Sequence, residues 1–305
     1  MNKEKKNTFT YAFKQQILRA WQPVPTLKST VIIFIVLGLI FLAFGIALLI
    51  LSNQIIDYRV QYDEVCEGDA TCTVTIQVTE KMEAPVFFYY ELDNFYQNHR
   101  RYLKSRNSDQ LSGSVLGAGD LDDCDPIVYN KDIKTPLLSF GGKVLDPDGV
   151  ANPCGLVAKS FFNDSFVLNG GAITIQDTGI AWSSDVKNKF KSPPNAEDIQ
   201  WVDVTNERFI VWMRTAATPN FRKLWGRIEQ DINPGTYTVD ITNNYDVSGF
   251  DGKKYIVLST ANTFGGKNYF LAISYLVVGG LAIGVAILFF IKNLVSPPKN
   301  LPKFE

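Results

Sequence analysis

The sequence predicts a membrane protein in which two transmembrane helices flank a mainly β, antiparallel, sandwich-like domain with irregular insertions. Three observations predict it. Two apolar runs, residues 31–51 and 269–291, contain no charged residue. At about 1.5 Å per residue, each is long enough to cross a hydrocarbon core of about 30 Å. The segment between them carries most of the charge and reads as short strands punctuated by Gly and Pro. Composition averages over the whole chain (46% hydrophobic, 20% charged) hide this division. The overall balance of 30 basic and 31 acidic residues argues against a nucleic-acid partner.

The N-terminal tail, residues 1–30, holds Lys3, Lys5, Lys6, Lys14, Arg19 and Lys28 against Glu4. Phe9, Phe13, Ile17 and Ala20 recur at helical spacing there. They predict a short basic amphipathic helix, lying in the headgroup layer or packed on a partner, and ended by Pro23 and Pro25. The run 31–51 is read as a retained anchor, because a signal-peptide core spans only about 7–15 residues and lies closer to the start. The C-terminal tail, residues 292–305, has Lys292, Lys299 and Lys303 against Glu305. Basic flanks stay inside, so both termini are expected in the cytoplasm and residues 52–268 in a lumen or outside the cell. That middle segment has 217 residues, with 21 basic and 29 acidic ones, a net charge of −8.

Within the segment, Val74, Ile76 and Val78 alternate with polar residues and predict a strand with one buried face. Further strands are expected at 86–90, 166–168, 172–175, 180–182, 209–214, 237–241 and 255–259. A helix is expected over 92–102. Asn233-Pro234-Gly235 and Asp251-Gly252 are turn signals. Residues 113–153 are rich in Gly, Pro and Asp and predict a long loop region. The four cysteines, Cys66, Cys72, Cys124 and Cys154, all fall in the middle segment, which suggests two disulfides in an oxidising compartment. Four cysteines allow three pairings; the one local in sequence, Cys66–Cys72 with Cys124–Cys154, is favoured. Asn163-Asp164-Ser165 is a glycosylation sequon, and Asn163 is the expected acceptor.

Signals for chemistry are few. A single histidine, His99, leaves little for nucleophilic triads. No phosphate loop follows the Gly-Gly pairs, and the acids at 120–125 and 146–148 lack the spacing of a calcium loop. No catalytic residue, metal or cofactor is assigned. Neither apolar run contains an ionisable residue with which to build a pathway. In the second, Gly280 and Gly284 offer a small face for a partner helix or for the first run, whose Ala43 and Ala47 are spaced alike.

Several longer motifs carry a resemblance. They are Ala20-Trp21-Gln22-Pro23 before the first run, Tyr89-Tyr90-Glu91-Leu92-Asp93-Asn94-Phe95-Tyr96-Gln97-Asn98-His99-Arg100-Arg101-Tyr102, Pro153-Cys154-Gly155-Leu156, Asn163-Asp164-Ser165-Phe166, Asn243-Asn244-Tyr245, Val257-Leu258-Ser259-Thr260 and Gly265-Gly266-Lys267-Asn268. With them the chain resembles the accessory (beta) subunits of type IV P-type ATPases that flip phospholipids, the cell division control protein 50 family. Phe264 stands where that family more often has Trp, and Ala272 where it often has Gly. The resemblance implies a non-catalytic subunit in a heterodimer with the ATPase, close to membrane phospholipids and needed for exit from the endoplasmic reticulum. Trp21, Gln22 and Pro23 at the cytosolic boundary and Gly265, Gly266, Lys267 and Asn268 at the lumenal one are the expected partner contacts, with Gly280 and Gly284 in the span. Lys267 is expected to reach phosphates or acidic partner loops. A two-span receptor and a membrane-tethered ectoenzyme are the competing classes.

Overall fold

The computed structural model describes residues 9–16, 26–262 and 265–296. Among these residues the helices are α1 (Phe9–Lys14), α2 (Leu27–Asn53), α3 (Arg100–Lys104), α4 (Ser108–Leu111), α5 (Asn130–Ile133), α6 (Leu156–Lys159), α7 (Ser183–Asn188), α8 (Ala196–Ile199), α9 (Glu207–Met213) and α10 (Tyr269–Val295). The strands are β1 (Asp57–Gln61), β2 (Thr71–Val78), β3 (Val86–Leu92), β4 (Ser165–Leu168), β5 (Phe221–Ile228), β6 (Gly235–Thr242) and β7 (Lys254–Ser259). The chain divides into two units, Met1–Asn53 with Asn268–Glu305, and Gln54–Lys267.

In the first unit, α2 and α10 are both 27 residues long and apolar enough to span a membrane. Each runs past its uncharged stretch, since main-chain hydrogen bonding continues through flanking polar residues. Thr26 caps α2 by accepting the Ser29 amide at 3.2 Å. The two helices pack antiparallel through small residues seven apart. Gly38, Gly45 and Ser52 are buried on α2, and Ala272, Gly279 and Ala286 on α10. A β-carbon added at Gly279 would sit 3.0 Å from the Gly38 carbonyl oxygen, so the backbones nearly touch there. A seven-residue repeat keeps one seam facing its partner helix, and small residues on the seam permit the close approach. Phe41 and Tyr275 pack beside it, ring centroids 5.7 Å apart.

Of the two alternatives for the Gly280 and Gly284 face, a partner helix or the first run, this seam removes the second. Gly280 and Gly284 have nothing within 4 Å of an added β-carbon, and Ala43 and Ala47 are exposed. None of the four joins the two helices. The reason is register: the seam follows every seventh residue through position 279, one residue away from the four-residue spacing of Gly280 and Gly284.

The second unit contains two antiparallel sheets, ordered β1-β7-β3-β5 and β2-β6-β4. Their inner faces share one apolar core. Val74, Ile76 and Val78 of β2 are buried while their neighbours are exposed, as alternation predicts. Phe166 of β4 packs against Phe88 of β3 (5.3 Å) and Trp225 of β5 (5.1 Å), joining the sheets. Trp225 is the extra residue of a bulge, since β5 slips register between Phe88↔Gly226 and Tyr89↔Leu224. The irregular insertions lie between β3 and β4 and between β4 and β5. Leu121, Cys124, Ala151 and Cys154 make a small second core in the first insertion. Disulfides join Cys66 to Cys72 and Cys124 to Cys154, with Cα separations of 5.4 and 5.7 Å.

Four secondary-structure expectations fail for identifiable reasons. Of residues 209–214, rich in aromatic and β-branched side chains, 209–213 lie in helix α9 and Arg214 follows its end. Asn206 caps it, and Phe209, Ile210, Trp212 and Met213 are buried at helical spacing. Residues 180–182 form no strand, because the Glu207 carboxylate accepts the successive amides of Gly179, Ile180 and Ala181. Residues 172–175 make only an isolated bridge, Leu168↔Ile173, after a turn through Gly170 and Gly171 at positive φ. The stretch 92–102 is not one helix. Leu92 ends β3, Asn94 turns at φ +59° with its side chain bonded to the Phe250 carbonyl, and helix begins only at Arg100.

Candidate functional site

At the head of α10, Asn262 and Gly265 exchange both main-chain hydrogen bonds, at 3.1 and 2.9 Å. Gly265 sits at φ +100°, a conformation that favours glycine. Lys267 donates to Asp57 of its own chain at 3.0 Å. Asn268 caps α10 by accepting the Leu271 amide at 3.1 Å, and its carbonyl accepts the Ser52 hydroxyl at 3.2 Å. Gly266 is exposed. Three of these four motif residues are therefore engaged with their own chain. Trp21, Gln22 and Pro23 lie outside the described residues.

Asn163 is exposed just before β4, while the next side chain, Asp164, is fully buried. One carboxylate oxygen of Asp164 accepts the amides of Asn244 and Tyr245, each at 2.6 Å. The other accepts the Tyr62 hydroxyl at 2.7 Å and the Lys254 ammonium at 2.8 Å. Lys254 spends its other two protons on the Tyr245 carbonyl (2.7 Å) and the Asn243 side chain. Such full satisfaction is what a buried ion pair requires. Burial, and then the Asp164 charge, push the Tyr62 hydroxyl well above its usual range. The sequon and the Asn243-Asn244-Tyr245 motif thus meet at one polar node inside an apolar core.

The Pro153-Cys154-Gly155-Leu156 motif serves a second node. Gly155 has φ +96°, and a β-carbon there would overlap the Ser105 carbonyl. The Ser105 hydroxyl donates to the Cys124 carbonyl at 3.0 Å and accepts the Leu156 amide at 2.8 Å. The buried Gln110 side chain accepts the Cys154 amide at 2.8 Å and donates to the Ala151 carbonyl at 2.8 Å. Trp201 donates to the Pro153 carbonyl at 2.7 Å. In the Tyr-rich motif, Tyr90 stacks on Phe162 at 3.8 Å.

Sequence reasoning missed Tyr62, Ser105, Gln110 and Lys254, because each acts on a residue far away in the chain. The only local signal is a lysine beside an apolar strand, as at Lys254. His99 is exposed and its side chain makes no cap bond. Among the described residues, no three His, Cys, Asp or Glu side chains converge as metal ligands. Asp146 accepts the Asp148 amide, and Asp148 pairs with Lys131 at 2.7 Å, so these acids shape their own loop.

Outward from the helix seam, Gly280 and Gly284 remain on an open apolar face. The described parts of the chain thus hold two well-satisfied polar nodes and a tightly seamed helix pair.

Comparison with known proteins places this architecture. A sequence model of the LEM3 (ligand-effect modulator 3) family / CDC50 family matches residues 48–299. ALA-interacting subunit 3 of Arabidopsis thaliana is 37% identical, over 93% of this chain and 86% of its own. Cell cycle control protein 50B of Homo sapiens is 36% identical, over 89% of each chain. Phospholipid-transporting ATPase accessory subunit CRF1 of Saccharomyces cerevisiae is 32% identical, over 94% of this chain and 85% of its own. The motifs that build the two polar nodes, and a similarity that runs almost end to end, say the same thing: this chain belongs to the LEM3/CDC50 family.

Proposed function

We propose that this chain is the non-catalytic accessory subunit of a type IV P-type ATPase that carries phospholipid from the outer or lumenal leaflet to the cytosolic one. The observation that carries the reading is the match, along 94% of the chain, to a yeast protein named as a phospholipid-transporting ATPase accessory subunit. The site chemistry agrees with it. Buried polar groups at the two nodes are engaged with one another, and the single histidine is exposed. In this reading the ATPase performs hydrolysis and transport. The subunit supplies a rigid, disulfide-bonded ectodomain and two spans.

The basic flanks support cytoplasmic termini at 1–30 and 292–305, spans near 31–51 and 269–291, and a lumenal or extracellular domain at 52–268. Asn163 would then carry a glycan. The exposed Gly280 and Gly284 face is open to a helix of the ATPase, and Trp21, Gln22, Pro23 and Gly266 flank the two boundaries. The complex leaves the endoplasmic reticulum for Golgi, endosomal or plasma membrane. A pull-down combined with labelled-lipid uptake tests the reading. Expressed alone, the chain stays in the endoplasmic reticulum; with its ATPase, both leave and uptake appears. An ATPase that exits and transports equally well without it refutes the proposal.

A further inference from the structure

Beside the edge strand β5 lies a cavity of about 330 Å³, walled by α9 and the loop 179–182. Its walls are held firmly. Glu207, at the start of α9, accepts the amides of Gly179, Ile180 and Ala181 at 2.7–2.8 Å. Buried Lys223 of β5 donates to the carbonyls of Val211 (3.2 Å), Trp212 (2.9 Å) and Arg214 (2.5 Å), closing the C-terminal end of α9.

At the mouth, Trp182 is 66% exposed. The Arg214 guanidinium lies over its ring, 4.2 Å from the centroid, and is held there by buried Asp185. Lys189 shares that carboxylate at 2.9 Å. Arg222, on the lip, is 3.9 Å from Glu91, whose carboxylate Arg59 already holds at 2.8 Å. Two cations of the lining, Arg214 and Arg222, thus stand against the one carboxylate of Asp185, while buried Lys223 is turned inward onto the α9 carbonyls. Ile180, Ile210 and Leu224 make it apolar within.

This basic, aromatic concavity sits on a segment whose net charge is −8. Tryptophan and arginine are among the residue types enriched where interface energy concentrates, and here the two are stacked and held in place. A local positive site on an acidic domain selects a segment that is both acidic and apolar, and the rest of the surface repels it. We infer that this cavity docks an acidic, apolar-flanked segment from a lumenal loop of the ATPase, which rests on the accessory-subunit reading.

The test uses the full chain, co-expressed with its ATPase and captured through a tag on the ATPase. Trp182→Ala and Arg222→Gln leave the buried Asp185–Arg214 pair in place, and the glutamine adds no second carboxylate opposite Glu91, so both stay within about 2 °C of the wild-type melting temperature. Each weakens capture on the order of ten-fold. Added salt weakens wild-type capture more than that of Arg222→Gln. The lumenal loops of the ATPase are then changed one at a time, Asp and Glu to Asn and Gln. One loop reproduces the loss and adds nothing to Trp182→Ala. If wild type is captured and both variants are captured equally well, docking at this cavity is overturned and the subunit reading stands. If wild type captures no ATPase, both fall. Unchanged capture with loss of phospholipid-stimulated hydrolysis also overturns the proposal, because a headgroup rather than a protein loop would then fill the site.

Discussion

Lys254→Met removes the only cation that faces the buried Asp164 carboxylate among the described contacts. Three donor bonds vanish: to Asp164 at 2.8 Å, to the Tyr245 carbonyl at 2.7 Å, and to the Asn243 side chain. Breaking a buried ion pair by deleting one partner costs about 3–5 kcal/mol. Asp164 keeps the Tyr62 hydroxyl and two amides. Those charge-assisted bonds place the loss near the lower limit, roughly 3 kcal/mol. For a domain of this size, each kcal/mol moves the melting temperature by about 2–4 °C. The expected drop is therefore roughly 6–12 °C, read by scanning fluorimetry on the purified full-length chain. Adding Asp164→Asn, which removes the stranded charge and keeps a sequon, should recover part of the loss. A single variant that melts within about 2 °C of wild type, or a double variant whose losses simply add, refutes the reasoning.

Four further outcomes follow from the same geometry. Cys124→Ser should lower the melting temperature more than Cys66→Ser. In the chain-entropy model, closing a loop with sequence separation 30 stabilises by about 3.7 kcal/mol, against about 2.4 for a separation of 6. Glycosidase should shift the gel mobility of wild type made in a eukaryotic host and leave Asn163→Gln unchanged; an unshifted wild type removes the glycan. Gly279→Leu should abolish cross-linking between cysteines placed across α2 and α10, because its side chain meets the α2 backbone, while Gly280→Leu should keep the cross-link and reduce recovery with the ATPase. Burial pushes the Lys223 ammonium from 10.5 down to about 7, so the unfolded chain binds more protons than the folded one between those values. Stability should rise with pH from about 7 toward 10 and fall beyond it, as the buried Tyr62 and Tyr90 hydroxyls, raised by burial, are forced to ionise; Lys223→Met should flatten the rising limb.

The spans were legible in the sequence because an uncharged run is a purely local signal. β2 was legible for the same reason, its alternation being unbroken. β5 was not, because Lys223 occupies an inward position and reads as a break in the pattern. Its charge is answered by carbonyls at the end of α9, which no periodicity reveals. α9 itself was obscured by strand-forming side chains that tertiary packing overrides. The seam between the spans was missed by one residue: a four-residue spacing drew attention to Gly280, while the packing repeats every seven. Asn163-Asp164-Ser165 was visible as a motif, yet the second task of Asp164 was not. Its partners, Tyr62 and Lys254, lie 102 and 90 residues away.

The order of strands in the larger sheet has a consequence for how the domain is made. β7 is the last strand to be synthesised, yet it sits inside the sheet, hydrogen-bonded to β1 on one side and β3 on the other. Until it emerges, β1 has no neighbour in its sheet and β3 has an open edge. Roughly 190 residues separate β1 from β7, which at about 5–20 residues per second is a wait of roughly 10–40 s. Lys254, the first residue of β7, also arrives then, so the Asp164 carboxylate spends the same interval without its cation. Nascent chains are thus obliged to idle with apolar strands uncovered, and this interval is when chaperones have most to hold.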